Sequence, residues 1–399
     1  MHSDDFAQRK LQGILSRIAT LETSEFPHPH SAELLRHIRS VFEADFEDIR
    51  SSRPNLVTYN CALAQRDIER YIVILGFILR STNVRNAFEF HEPLLRLATQ
   101  LLRSKVKLIL SSEWDFSPLT YLLYDFELPE FVLIGLPAQE SSSPLVLPVA
   151  GHELGHHLWH REHLNAETLP LVVESFMCVN DPTQDDPRGS KVGKLEEIQA
   201  LNLYSTEIEC AQRQCEEIFC DFVGIRLFGI SFLHAFHYLL SPNVEEKQHP
   251  EYPPLEQRAK MHRDALNEYF GLDAPEGYID DFKEIFPSTS TDEYLEKINL
   301  TTRNLLEYLR DKAKSLVDLS GISSPSSDDA IEIYNKYLQH HSPVAKCKGL
   351  SEIINAGWIA RLNPELWSGV KFKGNKWNIL DDIILKSIEV LEFEEKAKR

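Results

Sequence analysis

The segment LVLPVAGHELGHHLWH constrains this chain more than any other stretch. His152 and His156 stand four residues apart with Glu153 directly after the first, the HExxH arrangement. Residues four apart share one face of an α-helix, so both imidazoles point the same way. An apolar run, Leu145 to Ala150, precedes the motif, and Leu154 and Gly155 fill its interior without charge. A helix of that composition belongs inside a protein. Two buried imidazoles beside a carboxylate need a partner there, because unpartnered buried polar groups cost free energy. A zinc ion satisfies both nitrogens and leaves Glu153 to take a proton from a water molecule.

A zinc site with one open position takes three protein ligands. One solution would place glycine at 159 and histidine at 162, but the chain has Trp159 and Glu162. Another is a glutamate on a later helix with an aspartate four residues on. The segment EEIFCDFVG supplies this pair as Glu217 and Asp221, in surroundings too apolar for a solvent face. Glu217 is expected to complete the ligand set. Asp221 is expected to hydrogen-bond the far nitrogen of a ligating histidine, His152 first among them. Glu216 competes for the ligand role but lacks the aspartate four residues on.

HELGH followed by EEIFCDFVG resembles the gluzincin pattern of zinc peptidases. Within it, the chain is similar to the CAAX-prenyl-protease and HtpX group, with a weaker resemblance to ImmA/IrrE-type metallopeptidases. The resemblance covers roughly residues 130–265 and excludes the group's membrane helices. A downstream HPxxxxR-type segment has its counterpart in HPEYPPLEQRAKM. Either Tyr252 stands at the family's histidine with Arg258 as its arginine, or His249 is the match with three residues inserted. The resemblance implies a zincin-like catalytic core and hydrolysis of peptide bonds in a protein or peptide substrate. Zn2+ is then the cofactor, with Tyr252 and Arg258 near the transition state. It also implies that EFVLIGLP (Glu130 to Pro137) is an exposed strand able to accept an extended peptide. A non-catalytic zinc sensor on the same scaffold, or a zinc hydrolase of non-peptide amides, stays open beside it.

The flanks read as helices. Apolar residues recur at spacings of three and four in LLRHIRSVFEADFEDI and PLLRLATQLLRSKVKLIL, and again from about Leu195 to Phe228. Short aromatic and branched runs between prolines, LTYLLYDF and EFVLIGLP, read as strands, and Asn180 to Lys191 as a loop. The expected fold is mainly α with a small β-sheet, α+β in class. Its regions are a helical N-terminal stretch (1–110), a metallopeptidase core (111–275) and a helical C-terminal stretch (276–399). The flanks suit a regulatory protein partner.

Composition narrows the partners. The chain has 61 acidic and 42 basic residues, a formal charge of −19. Nucleic-acid binding leans on clustered Lys and Arg, so it is excluded as the main function. The longest apolar run, Tyr71 to Leu79, has nine residues where a bilayer needs about 20, and reads as a buried helix segment with no membrane span. Six cysteines form no CxxC pair, and the polar start MHSDDFAQRK has no apolar signal core; a cytoplasmic location is the expectation. Cys210, Cys215 and Cys220 read as small buried apolar residues. His157 and His160 read as rim residues, and His234 and His237 as core histidines.

Overall fold

The computed structural model describes residues 3–82, 88–113, 119–121, 128–180, 203–242, 248–283, 292–346, 349–368 and 374–398. The chain is mainly helical with one small sheet. It divides into two units interleaved along the sequence. Among the described residues, no helix is long and apolar enough to cross a membrane.

The first unit comprises residues 1–87, 107–121 and 130–141. Its helices are α1 (Ser3–Leu21), α2 (Pro29–Ser51) and α3 (Val57–Thr82), each packed on the other two. Leu34, Leu35, Ile38, Phe42 and Ile49 form the buried stripe of α2, and the edge of Tyr71 meets Phe42 with ring centroids 6.0 Å apart. In the run Tyr71–Leu79 the expectation of full burial is corrected. Tyr71, Ile74, Phe77 and Ile78 are buried, but Ile72, Val73 and Leu79 are exposed. A nine-residue apolar run circles a 3.6-residue helix more than twice, so apolar residues also reach its outer side.

Strands β1 (Lys107–Glu113), β2 (Leu119–Tyr121) and β3 (Phe131–Pro137) form a sheet in the order β1-β3-β2. β1 runs parallel to β3 with Lys107 opposite Phe131, and β2 runs antiparallel with Leu119 opposite Gly135. EFVLIGLP is thus the central strand, buried along its length. The expected exposed strand is instead flanked on both sides, by β1 along its length and by β2 at Leu133–Gly135. Of LTYLLYDF, Leu119–Tyr121 forms a strand; residues 122–127 lie outside the described residues, as do 181–202 with most of the expected loop.

The second unit comprises residues 88–106, 122–129 and 142–399. Its helices are α4 (His91–Leu101), α5 (Ala150–Arg161), α6 (Leu164–Asn180), α7 (Ser205–Phe228), α8 (Ile230–Leu240), α9 (Leu255–Phe270), α10 (Glu293–Arg303), α11 (Leu306–Leu319), α12 (Ser327–Lys336), α13 (Leu350–Leu362) and α14 (Lys376–Ala397). α7 is the axis, buried on every side from Ile218 to Phe228 and packed by α5, α6, α9, α10 and α11. A second cluster joins α12, α13 and α14 to Leu145 and Val149, the apolar residues that lead into α5. Trp358 anchors it by donating its indole N–H to the Leu145 carbonyl at 3.0 Å. The C-terminal helices therefore brace the entrance to the HExxH helix.

α5 and α7 cross with almost no gap. A Cβ on Gly155 would lie 2.7 Å from the Cα of Cys220, and one on Gly151 would lie 3.1 Å from the Phe228 ring. Glycine is required at 155 because the obstacle is backbone. This close approach carries the HExxH face onto the ExxxD face.

Candidate metal centre

α5 presents His152 and His156 on one face, and α7 presents Glu216, Glu217 and Asp221 opposite them. His152 Nε2 lies 3.3 Å from Glu217 Oε2, and His156 Nε2 lies 3.5 Å from Glu217 Oε1. The other ring nitrogens point away. His152 Nδ1 donates to Asp221 Oδ1 at 2.9 Å, and His156 Nδ1 donates to Glu216 Oε1 at 2.8 Å. An ionised carboxylate only accepts, so each Nδ1 carries a proton, and each Nε2 faces Glu217.

These spacings fit a metal ion. Ligands at about 2.0 Å from a tetrahedral ion stand about 3.3 Å from one another, which matches the two separations measured. His152, His156 and Cys220 also bring ligand atoms within 4.8 Å of one another, a group that could hold a metal. The Cys220 thiol is buried under the helix crossing, and burial pushes its pKa well up.

Charge is dense here. Burial opposes ionisation of Asp221, yet Arg258, His262 and His152 outweigh it and hold its pKa well below the ordinary carboxylate value. Burial likewise opposes charging of His152, but Asp221 and Glu217 push its pKa up to about 10. Glu217 is shifted downward against its burial, chiefly by His152. Glu153, almost fully buried beside both histidines, is shifted upward by desolvation. In the metal-free chain, protons on the histidines offset the carboxylates; a divalent ion would supply that charge in their place.

Sequence reasoning placed His152, Glu153, His156, Glu217 and Asp221, and the structure brings all five together. Arg258 sits differently. Its Nε and Nη2 donate to Asp221 at 2.8 and 2.7 Å, its guanidinium is buried, and Nη2 is 3.8 Å from Glu217. Arg258 thus holds Asp221 and stands beside Glu217. Tyr252 is 46% exposed; its phenol is pushed up by partial burial and lies near enough to feel Glu217, Arg258 and Glu153. Gln214, one turn before Glu217, donates to the carbonyls of Pro250 at 2.9 Å and Tyr252 at 3.4 Å, tying that segment to α7. His249 packs edge-on to Tyr252, ring centroids 5.7 Å apart.

Four residues of the centre stand in roles other than those expected of them. Glu216, read only as a rival ligand, is the partner of His156. His160 Nε2, expected at the rim, reaches Glu216 Oε1 at 3.1 Å; its spacing of four from His156 was the available signal. His262, four residues after Arg258 on α9, donates from Nε2 to Asp221 Oδ2 at 2.8 Å. Cys220 was read as a packing residue and stands in the metal-capable group. His234 and His237 are half-buried, His234 stacked on Trp358 and His237 bonded to Asp281.

No family model, curated protein or solved structure matches this chain.

Proposed function

We propose that the chain is a zinc-dependent endopeptidase, with His152, His156 and Glu217 as metal ligands. The observation that carries this reading is the convergence of both Nε2 atoms on the Glu217 carboxylate, each Nδ1 being held by its own carboxylate. The resemblance of HELGH and EEIFCDFVG to the gluzincin pattern points the same way. When bound, zinc supplies a Lewis acid and lowers the pKa of a water molecule to about 7.

The remaining steps belong to the chain's own groups. Glu153 takes the proton of the attacking water and returns it to the leaving amine. Tyr252, with its neutral phenol, donates to the oxygen on which negative charge develops. Asp221 keeps His152 in its Nδ1–H form, and Arg258 holds Asp221. The substrate is a peptide segment of another protein, and the helical flanks are the place for a regulatory partner.

One observation favours a second reading. A thiol beside two histidines is a common composition for structural zinc, so the Cys220 group supports a non-catalytic zinc-binding protein. Three variants decide between them. Glu153→Gln should keep about one zinc per chain while peptide cleavage is lost, and Glu217→Ala should lose the metal. Metal retained in Glu217→Ala but lost in Cys220→Ala would establish the second reading.

A further inference from the structure

Asp221 receives hydrogen bonds from three side chains, and one of them, His262, is itself held from behind. His262 Nε2 lies 2.8 Å from Asp221 Oδ2, and its Nδ1 lies 2.8 Å from the Tyr278 hydroxyl. His262 is 0% exposed and Tyr278 1%. We propose that His262 and Tyr278 are positioning residues for the metal centre, fixing the plane of the Asp221 carboxylate so that its Oδ1 stays on His152. The proposal rests on reading His152, His156 and Glu217 as metal ligands.

Valence sets the direction of the chain. The Asp221 carboxylate only accepts, so His262 Nε2 carries a proton and donates it. Nδ1 of the neutral ring is then an acceptor, and the Tyr278 hydroxyl donates to it. The relay runs Tyr278, His262, Asp221, His152, with every link between 2.8 and 2.9 Å. Arg258 binds both oxygens of Asp221 from the end of a long side chain, its guanidinium 5.0 Å over the Phe236 ring. His262 has a short stem and a ring gripped edge-on by Phe232 and Phe236, at centroid distances of 5.6 and 4.6 Å. Tyr278 is in turn packed against Phe282 at 5.3 Å. The histidine is thus a short, packed anchor, and the tyrosine hydroxyl keeps its tautomer. Partners that orient a metal-ligating histidine typically set metal affinity by a factor of 10 to 100.

A purely structural network would lower the stability of the metal-free chain and leave its zinc affinity alone. The test is zinc affinity of the full chain by chelator competition, beside the melting temperature of the metal-free form. Tyr278→Phe keeps the ring and removes only the hydroxyl; it should weaken zinc binding about tenfold. His262→Gln, which breaks the link to Tyr278, should weaken it at least as much and serves if the first variant folds poorly. Unchanged affinity in a folded variant overturns the proposal, whatever the melting temperature does. A wild-type chain that binds no zinc overturns the metal-ligand reading itself, and the wild-type titration tells these two failures apart.

Discussion

Asp221 and Asp45 are carboxylates in two separate regions, and their surroundings have opposite signs. Asp221 on α7 is buried among donors: His152, Arg258 and His262 all bind it, and its ionised form is favoured. Asp45 on α2 is half-buried, its Oδ2 has no hydrogen-bond partner, and its nearest charges include Asp67 and Asp48. Desolvation, with those two aspartates adding to it, pushes its pKa up to about 6. The same side chain thus stabilises one helix packing and opposes another. What decides is whether the tertiary structure returns the hydrogen bonds that burial removes. Investment of donors around Asp221 marks the region where geometry is held most tightly.

The largest expected effect tests the well-paired side. Asp221→Ala leaves Arg258 and His262 buried without their anion, and should cost about 3–5 kcal/mol in denaturant unfolding along with zinc binding. A loss below 1 kcal/mol would mean that water or a shifted side chain replaces the carboxylate. Next comes the crossing that brings this region together. Gly155→Ala forces a methyl to within 2.7 Å of the Cys220 backbone, so α5 and α7 must separate. A cost of about 1–3 kcal/mol, with weakened zinc binding, is expected. Normal zinc affinity in that variant would show that the ligand geometry does not depend on the close approach.

The smallest effect has the opposite sign. Asp45→Asn should stabilise the chain by about 1 kcal/mol at pH 7.5, a figure reduced for partial exposure. Asp45 has a folded pKa near 6 against an ordinary 3.8, so between these values the unfolded chain ionises first and folding loses stability as pH rises. Below about pH 4 the penalty is absent, and above about 6 it is complete. The gap between wild type and Asp45→Asn should therefore shrink when melts at pH 7.5 are repeated at pH 5. A gap that is constant across this range would assign the gain to something other than charge.

Much of the centre was legible because helix geometry is local. His152 and His156, and Glu217 and Asp221, each lie four apart, and that spacing fixes a shared face whatever the helix packs against. The pairing of Asp221 with His152 followed from the chemistry of ligating histidines. The apolar recurrence leading up to Phe228 marked α7 as a helix for the same reason, and Ile208, Ala211, Cys215, Ile218, Phe222 and Ile225 along it are all buried. The sheet was less legible. EFVLIGLP reads the same whether it lies at an edge or in the middle, since hydrogen bonds to neighbouring strands leave no trace in side-chain pattern.

The sequence by itself determined which residues share a helix face and which chemistry those faces can carry. Only the tertiary structure decided which nitrogen meets which oxygen. Glu216 and Glu217 are adjacent and identical in type, yet one supports His156 from behind while the other faces both Nε2 atoms. That choice depends on how α5 and α7 cross, and the crossing is set by glycine and cysteine meeting backbone to backbone. Tyr278 entered through a further long-range packing step, sixteen residues from His262 and without periodic relation to it. Periodicity carries information along one helix; the fit between helices is a property of the assembled core.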